Sequence, residues 1–554
     1  MGKIFKLLIV FMLVLSGIAF ASEVETLRTD GRYLYTPTEE RVILRGVNAM
    51  IVYWDIHGEE TYHQIRRSGA NSVRIFWQLN EPKPSPEDLD ITITNAIEEQ
   101  LIPVIALWGA TGDWDNLPEL IDYWLRDDII EILKDHQQYL ILNIANEAGD
   151  GSETEEEFIE VYSDAIRRLR EKGFKAPIMI DANDWGRNED ILLSTGNVLM
   201  EDDPVDNLIF SWHPWDTDVA DERYKRAIDS SIEQELPFII GEFSHVGVFC
   251  ENPINWEFIV EYSHENDIGW LAWVCGWEEY DPHKITVDRN YGNWQEWGEE
   301  LVVNSPYGIE QTSEIPEYIA EMFPARPDIV EYITDFRLDK SSDPETYRIN
   351  LDNKFYDQLD GTELEYTVSS SNSELIWGDI EKENILTIDY ASGELGKAEI
   401  SVTAENSAGK ISEQLFTAHV VDPVSGDLAF LRSVEASSVK NEFLYNPQNI
   451  VDGSFDSYWV SEDKQEEWIY VDLEEKKQID RVSLIWGDDC AASFEIQVSY
   501  DGDSWQKVYR EDNGSKGFKT IHLDDVTGKF LKLNMIESGS GDGFAISQLQ
   551  VYTD

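Results

Sequence analysis

Between about residue 40 and residue 275, short aliphatic runs alternate with longer amphipathic stretches. The eight runs read RVILRGVN, SVRIFW, IPVIALW, LILNIAN, PIMIDA, LIFSWH, PFIIGEF and GWLAWVC. Continuous apolar runs are typical of strands that are buried on both faces of a parallel sheet. The stretches between them predict helices, and two of these, ETYHQIRRSG and TEEEFIEVYSDAIRRLREKG, end in glycine as helices often do. Eight such units predict a (β/α)8, or TIM, barrel that closes with a helix around NYGNWQEWGEELVVN.

A doubly wound open sheet is the alternative for such an alternation. No G-x-G-x-x-G motif follows the first predicted strand, and a count of eight strands favours closure. After FPARPDIVEY the pattern changes to short strands rich in Thr, Ser and Asn, which predict two β-sandwich domains. We therefore expect a signal peptide over 1–21, the barrel over 22–324, one sandwich over 325–422 and a second over 423–554.

The first residues predict export. Lys3 and Lys6 precede the apolar stretch LLIVFMLVLSGIAF, and Ala19-Phe20-Ala21 fits an A-x-A cleavage pattern. A retained membrane anchor is the alternative, but the apolar part is short for a spanning helix and the polar SEVETLRTD follows at once. We expect a secreted, extracellular protein with no membrane association after the signal peptide is removed.

Charge restricts the partners. The 554 residues include 109 Asp and Glu against 43 Lys and Arg, which gives a net charge of −66. Such an excess repels nucleic acid and anionic membranes, so neither is an expected partner. A hydrated acidic surface also suits a salty or alkaline medium.

Cysteines are few. Cys250, Cys275 and Cys490 are too few for a disulfide framework or a zinc site. Cys250 and Cys275 each follow strands that we place side by side, so one bridge between them is an open alternative.

Polar side chains recur where the predicted strands end, which is where a barrel of this kind places its active site. These residues are Arg74 within strand 2, Asn146 and Glu147 after strand 4, His213 after strand 6, Glu242 in strand 7 and Trp273 in strand 8. Two carboxyl groups, an aromatic ring and several hydrogen-bonding groups therefore converge on one rim. A structural ion pair is the alternative role for each glutamate.

Cleavage of a glycosidic bond needs such a set. One carboxylic acid with a raised pKa protonates the departing oxygen, while a second, ionised carboxylate attacks the anomeric carbon. Strands 4 and 7 face each other across a barrel, which can bring the two groups to about 5 Å, the separation of a retaining mechanism. We expect Arg74 to keep Glu242 ionised, Asn146 to hold the sugar 2-hydroxyl and His213 to relay or orient a proton.

The segments LRGVN, NIANE, IMIDANDWG, IIGEF and GWLAW resemble glycoside hydrolase family 5 of clan A, and most closely the bacterial β-mannanases of its subfamily 8. The resemblance runs from about residue 40 to residue 320. It implies Glu147 as the acid/base and Glu242 as the nucleophile. Arg74, Asn146, His213 and Trp273 are then supporting groups.

Two positions depart from the family pattern. Where the family has a histidine after strand 3, this chain reads WGATG, with Trp108 and Gly109. Where the family usually has a tyrosine two residues after the histidine of strand 6, this chain has Trp215. Loss of the phenol that steadies the nucleophile, and of the imidazole that contacts the sugar, predicts a slower enzyme or an altered subsite.

Tryptophan is abundant, with 19 residues, and several lie near predicted strand ends. Flat aromatic faces stack on the C–H faces of sugars. We therefore predict substrate-binding roles for Trp54, Trp108, Trp185, Trp215 and Trp273.

The last region resembles the discoidin, or coagulation factor 5/8 C-type, jelly roll in VDGSFDSYWVS, WIYVDLEEKKQIDRVSLIWG, IQVSYDGDSWQKV and AISQLQVY. The resemblance implies attachment to sugars or surfaces through loops at one end. Such domains often hold a structural calcium, and Asp452 and Asp456 are suitable donors. The usual acidic residue near the C-terminal strand is Gln548 here, so an ion is not predicted. The middle region looks immunoglobulin- or cadherin-like and is interpreted as a spacer.

These features predict a secreted, retaining glycoside hydrolase that cleaves β-1,4-linked polysaccharide, with an endo-β-1,4-mannanase as the first interpretation. The alternatives are an endo-β-1,4-glucanase of the cellulase type and an inactive glycan-binding protein. The expected partner is a mannan- or glucan-type polysaccharide, and the expected state is a monomer. Neither a cofactor nor a metal is expected at the catalytic site.

Overall fold

A computed structural model of the chain describes residues 25–80, 82–216, 221–250, 252–276, 281–341, 344–422, 426–440, 445–454, 457–462, 467–487, 489–539 and 543–553. The predicted signal peptide and Asp456 lie outside the described residues. The chain divides into two compact units, Met1–Pro324 and Ala325–Asp554. No described helix is both long and apolar enough to cross a lipid bilayer.

The first unit contains a small antiparallel sheet and a closed barrel of eight parallel strands, which confirms the predicted barrel. The small sheet was not predicted from the sequence and consists of β1 (Arg28–Asp30), β2 (Tyr33–Tyr35) and β3 (Arg41–Val42). The barrel strands are β4 (Arg45–Ala49), β5 (Ser72–Gln78), β6 (Ile102–Trp108), β7 (Ile141–Asn143), β8 (Ile178–Asp181), β9 (Leu208–Trp212), β10 (Phe238–Ile240) and β11 (Gly269–Ala272). Every residue of β5 is buried, as expected for a strand between the barrel interior and the helices.

Helices connect the barrel strands. They are α1 (Thr61–Arg67), α2 (Pro86–Glu98), α3 (Leu117–Trp124), α4 (Asp127–Asp135), α5 (Glu155–Glu171), α6 (Glu189–Asp202), α7 (Asp221–Glu233), α8 (Trp256–Glu265), α9 (Glu296–Glu299), α10 (Ile309–Thr312) and α11 (Glu317–Met322). The predicted closing helix is the short α9 with a π-helical turn, Glu300–Asn304. Gly69 and Gly173 follow α1 and α5 at φ of 82° and 88°, where a side chain would be strained, so both helices end as predicted.

The second unit begins with two facing sheets that enclose one apolar core, as predicted for the first sandwich. Its strands are β12 (Asp328–Ile329), β13 (Phe336–Asp339), β14 (Tyr347–Asn350), β15 (Phe355–Tyr356), β16 (Glu365–Ser370), β17 (Ile376–Glu381), β18 (Ile385–Tyr390), β19 (Gly396–Glu405) and β20 (Ile411–Val421). The larger sheet has the order β13-β20-β19-β16 and the smaller has the order β14-β18-β17.

The rest of the unit is a jelly-roll-like sheet of seven strands with its own core. The strands are β21 (Val434–Ala436), β22 (Trp459–Val460), β23 (Trp468–Trp486), β24 (Ala491–Ser499), β25 (Gln506–Glu511), β26 (Gly517–Ser538) and β27 (Ala545–Tyr552). The long β23 and β26 pair along most of their length, with register shifts that let both strands bend around the core.

The open alternative of a disulfide between Cys250 and Cys275 is wrong, because both cysteines are free. Cys275 is buried after β11, whereas Cys250 is exposed in the loop after β10. Burial raises the pKa of the Cys275 thiol to about 12, so this thiol stays protonated and unreactive.

Gln548 occupies the place where the discoidin resemblance suggests an ion. Its buried side-chain amide donates to the main-chain oxygens of Asn449 and Ser454, at 3.3 and 2.7 Å, and to Asp452 Oδ1, at 2.9 Å. Calcium needs six to eight oxygen ligands, but here the converging oxygens already accept from an uncharged amide. These residues therefore do not fit a bound calcium.

We expect the melting temperature of the domain to be the same with calcium and with a chelator. Gln548→Glu should lower the unfolding free energy by about 1–3 kcal/mol, because a carboxylate then faces three oxygens without a donor. Added calcium should restore that loss in the variant only. Calorimetry of the whole chain checks this, and a calcium-dependent rise in the wild-type melting temperature would contradict it.

Candidate active site

A cavity of about 710 Å³ opens at the carboxyl ends of the barrel strands. The residues that line it are Phe76, Trp108, Thr111, Asn146, Glu147, Trp185, Arg187, Trp215, Asp216, Glu242, Gly247, Val248, Phe249, Asn252, Trp273 and His283. Half of them carry polar or charged side chains, and seven carry apolar side chains, nearly all aromatic, so the cavity offers both hydrogen-bonding groups and flat apolar faces to a ligand. We refer to this space as the cavity.

Both predicted glutamates reach the cavity. One oxygen of Glu147, one oxygen of Glu242 and a ring nitrogen of His213 all lie within 4.8 Å of one another. Retaining glycosidases hold their two carboxyl groups about 5–5.5 Å apart, whereas inverting enzymes need about 6.5–9.5 Å. The separation therefore matches a retaining mechanism.

Glu147 follows β7 in a backbone conformation that non-glycine residues rarely adopt, with φ at 51°. This conformation costs about 1 kcal/mol and is found mainly where the surroundings fix it. Here the Glu147 N–H donates to Asp181 Oδ2 at 3.1 Å, and its carbonyl accepts from the N–H of Gly112 at 2.9 Å. These bonds turn the chain so that the carboxyl group points into the cavity.

Glu242 lies two residues beyond the end of β10 and is held from both sides. Arg74 Nη1 donates to its Oε1 at 2.6 Å, and the Trp215 indole N–H donates to its Oε2 at 3.1 Å. The preceding residue, Gly241, has no room for a side chain, because a Cβ atom would lie 2.0 Å from Ser211 Oγ. Glycine therefore lets the chain that carries Glu242 approach β9.

Arg74 is fully buried and connects the site. Its guanidinium donates to Asn48 (3.1 Å), Asn143 (2.7 Å), Asn146 (2.8 Å), Asp181 (2.8 Å) and Glu242 (2.6 Å). A buried cation needs such pairing because its desolvation is costly. The structure thus places Arg74 where it can stabilise an ionised Glu242, as predicted.

Both carboxyl groups have raised pKa values. Burial, followed by the charge of Asp181, raises the pKa of Glu147 to about 8. Burial also raises the pKa of Glu242, to about 7, against the opposing effect of the Arg74 guanidinium. The Arg74 cation and the Trp215 N–H both donate to Glu242, which favours its ionised form, so the geometry places the ionised group at Glu242 and the acid at Glu147.

His213 is buried between the two carboxyls. Burial lowers its pKa, so the ring is neutral at pH 7. The Ser211 hydroxyl is 3.1 Å from Nε2 and can donate to it, which leaves the Nδ1–H to donate to Glu147 Oε1 at 2.8 Å. His213 therefore orients the carboxyl group of Glu147.

Activity should show a bell-shaped pH dependence. It should rise as Glu242 ionises near pH 7 and fall as Glu147 loses its proton near pH 8, because the reaction needs the first group charged and the second protonated. Measurement of kcat/KM from pH 5 to 10 checks this. A profile that falls steadily above pH 5 would contradict the assignment.

Trp215 holds the nucleophile, contrary to the expectation from the sequence. The loss of the phenol was expected to leave the nucleophile unsteadied, but the indole N–H supplies a hydrogen bond to Glu242. The ring is almost fully buried and packs edge-on against Trp273 and His283, at centroid distances of 6.2 and 5.6 Å. Trp215 is thus a positioning residue whose ring also lines the cavity.

Trp215→Phe should lower kcat about 10- to 100-fold with little change in KM, because a hydrogen bond to a charged group contributes about 1.5–3 kcal/mol. The acidic limb of the pH profile should also move to higher pH, since the carboxylate loses a donor. Steady-state kinetics across pH test both effects. Trp215→Tyr, which keeps a donor, is the matched control, and an unshifted limb in Trp215→Phe would contradict this role.

The other predicted tryptophans divide into two groups. Trp108, Trp185 and Trp273 line the cavity, and Trp185 is the most open of them at 42% exposure. Trp54 is not brought to the cavity. Its ring packs against the apolar cluster of Met50, Phe76 and Val274 and lies under the guanidinium of Arg289, at 4.9 Å. Because Phe76 lines the cavity, Trp54 lies behind the cavity wall.

The cluster of Glu147, His213 and Glu242 also has the spacing of a cation site. However, His213 Nδ1 is already bonded to Glu147, and the Arg74 cation lies against Glu242. A metal ion would be repelled by this guanidinium, so the donor set suits acid/base chemistry better than metal binding.

Four residues that complete the site were not predicted from the sequence. Asp181, Asn143 and Asn48 are fully buried and bond to Arg74. Each is the last or next-to-last residue of a barrel strand, so a polar residue within an aliphatic run is the signal that identifies them. His283, in the loop after β11, had no such signal.

Comparisons with known proteins agree with this geometry. Residues 119–279 match the cellulase model of glycosyl hydrolase family 5, and residues 449–533 match the NedA-like, galactose-binding domain, in agreement with the discoidin resemblance. A mannan endo-1,4-beta-mannosidase of Cellvibrio japonicus is 30% identical over 299 residues, which cover 51% of this chain and 67% of that protein. A second mannan endo-1,4-beta-mannosidase, from Salipaludibacillus agaradhaerens, is 29% identical over 298 residues, which cover 51% of this chain and 92% of that protein.

The solved catalytic domain of a mannanase from Streptomyces sp. SirexAA-E shares the barrel fold. It is 24% identical, with a TM-score of 0.50, and the match covers 55% of this chain and 96% of that domain. Together with the identity and coverage of the Cellvibrio japonicus protein, the fold and the paired carboxyl groups establish the relationship. The chain belongs to glycosyl hydrolase family 5.

Proposed function

We propose that this chain is a retaining endo-β-1,4-mannanase, closest in kind to the bacterial subfamily 8 enzymes. The observation that carries the proposal is the approach of Glu147 and Glu242 to within 4.8 Å in one open cavity beside Arg74. Two relatives named mannan endo-1,4-beta-mannosidase favour mannan as the substrate.

The proposed reaction has two steps. Glu242 attacks the anomeric carbon while Glu147 gives its proton to the departing sugar oxygen, which leaves a covalent glycosyl-enzyme. Glu147, now ionised, then takes a proton from water, and the resulting nucleophile releases the sugar with retained configuration. Arg74 and Trp215 hold Glu242, and His213 holds Glu147.

Asn146 is proposed to bind the sugar 2-hydroxyl. Its Oδ1 accepts from Arg74 at 2.8 Å, which fixes the amide so that Nδ2 faces Thr111 and Glu147, at 2.9 and 3.4 Å. A hydroxyl at this position would accept from Nδ2 beside the reacting carbon.

Release of reducing sugars from mannan, cellulose and xylan tests the proposal. Cleavage of mannan at internal bonds supports it, whereas preferential cleavage of cellulose favours an endo-β-1,4-glucanase. No cleavage of any of the three favours a glycan-binding protein. Glu147→Ala is the control for contaminating activity.

The enzyme is further proposed to act outside the cell and to be attached to its substrate. Export after cleavage at Ala21 places the enzyme with extracellular polysaccharide, to which the C-terminal domain would tether it. Amino-terminal sequencing of extracellular protein tests export, and a secreted chain that retains residues 1–21 contradicts the cleavage site. Retention on insoluble mannan tests the tether.

A further inference from the structure

A tight turn projects from the loop after β10 at the edge of the cavity. Val246 and Pro253 form a β-bridge, and the Gly247 N–H donates to the carbonyl of Asn252 at 3.0 Å. The Cys250 N–H then donates to the carbonyl of Gly247 at 2.7 Å. These bonds leave two apolar residues, Val248 and Phe249, at the tip.

Both tip side chains are open to solvent although they are apolar. Phe249 is 87% exposed and Val248 is 54% exposed, and both line the cavity together with the two catalytic glutamates. The Phe249 ring therefore contributes almost nothing to the folded core, where aromatic residues usually lie. An exposed apolar surface within a binding cavity indicates a ligand contact.

His283 holds the turn in place. Its Nδ1 lies 2.6 Å from Asp281 Oδ1 and its Nε2 lies 3.0 Å from the Gly247 carbonyl. Burial of the ring lowers its pKa, but the hydrogen bonds to these two acceptors raise it by more. The pKa of His283 therefore lies above its usual value. A protonated ring can donate to both acceptors at once and so ties the turn to the loop after β11.

The fixed turn reduces the entropy cost of binding, because the tip residues need not be ordered when a ligand arrives. Trp185, the other strongly exposed aromatic residue of the cavity, follows β8. A polysaccharide chain in the cavity thus has aromatic surface from two different loops, as stacking of successive sugar units requires.

We propose that Val248 and Phe249 form a sugar-binding platform that stacks on the C–H face of one unit of the polysaccharide and so determines how tightly the chain is held. This inference rests on the proposed function and adds a binding residue that neither strand-end chemistry nor the tryptophan pattern indicated. The platform binds the sugar chain, and Phe249 takes no part in bond cleavage.

Calorimetric titration of the full chain with mannohexaose, cellohexaose and xylohexaose tests the platform. Glu242→Gln serves as the parent so that no hexaose is cleaved. In that background Phe249→Ala should bind the preferred hexaose about tenfold more weakly, a loss of about 1.4 kcal/mol, because the ring that stacks on the sugar is gone. Phe249→Trp should retain the affinity. Tyr332→Ala, at an aromatic residue of the first sandwich that is 59% exposed, is the matched control and should bind as the parent does.

In otherwise wild-type enzyme, Phe249→Ala should raise KM about tenfold with kcat unchanged, which a structural defect would not do. Equal affinity of Phe249→Ala and the parent would overturn the platform and leave the proposed function intact. An equal loss in Tyr332→Ala would also overturn it. Binding of none of the three hexaoses by the parent would contradict both the proposed function and the platform.

Discussion

Replacing Glu242 with alanine is expected to lower kcat on the cleaved polysaccharide by at least about 10⁴-fold, as removal of a covalent nucleophile generally does. The carboxylate forms the bond to the sugar, and Arg74 Nη1 and the Trp215 indole N–H hold its two oxygens in place for that attack. Azide should restore part of the turnover by attacking from the space that the side chain leaves. The product should be a glycosyl azide of inverted configuration.

The fold of this variant should persist. Arg74 loses one acceptor but keeps Asp181 at 2.8 Å and Asn143 at 2.7 Å, so its charge stays paired. Circular dichroism checks the fold, and Glu242→Gln, which keeps the side-chain volume, is the matched control. Hydrolysis at the wild-type rate in Glu242→Ala would remove the nucleophile from this position.

The sequence was sufficient to predict the barrel because strands buried on both faces give continuous apolar runs. The same logic identified Glu147 and Glu242, since a carboxyl group at the end of such a run is costly unless it has a function or a partner. The three-stranded sheet β1 to β3 was missed because its strands are two or three residues long. Runs of that length give no readable period.

The partners of Arg74 show why the rest of the site needed a structure. Asn143, Asp181 and Glu242 lie 69, 107 and 168 residues further along the chain. Only closure of the barrel brings them together. Similarly, Trp215 was expected to leave the nucleophile without a hydrogen-bond donor, because it replaces the tyrosine that the family usually has at this position. The direction of its indole N–H, which a sequence does not encode, decides its effect on Glu242.

The role of Phe249 could not be predicted from the sequence for a different reason. It lies in a loop without periodicity, and an isolated phenylalanine there is usually interpreted as packing. Its exposure depends on the hydrogen bonds of the Gly247–Cys250 turn and on His283, which is 34 residues beyond Phe249. Local composition contains no signal for such an arrangement.

Replacing Glu147 with alanine should affect the two steps of the reaction differently. On polysaccharide, kcat should fall about 10²- to 10⁴-fold, the range that general acid–base catalysis contributes. On an aryl glycoside with a dinitrophenolate leaving group, the first step needs no proton and should stay fast. The second step still needs a base, so the glycosyl-enzyme should accumulate after a burst of dinitrophenolate.

Azide separates this variant from Glu242→Ala. It needs no base, so it should accelerate the second step of Glu147→Ala and give a glycosyl azide of retained configuration, opposite to that of the Glu242 variant. The alkaline limb of the pH profile should disappear with the Glu147 proton. The acidic limb should move to lower pH, because the neighbouring carboxyl that raises the pKa of Glu242 is gone. Identical azide products from both variants would show that the two carboxyl groups do not act from opposite faces of the sugar.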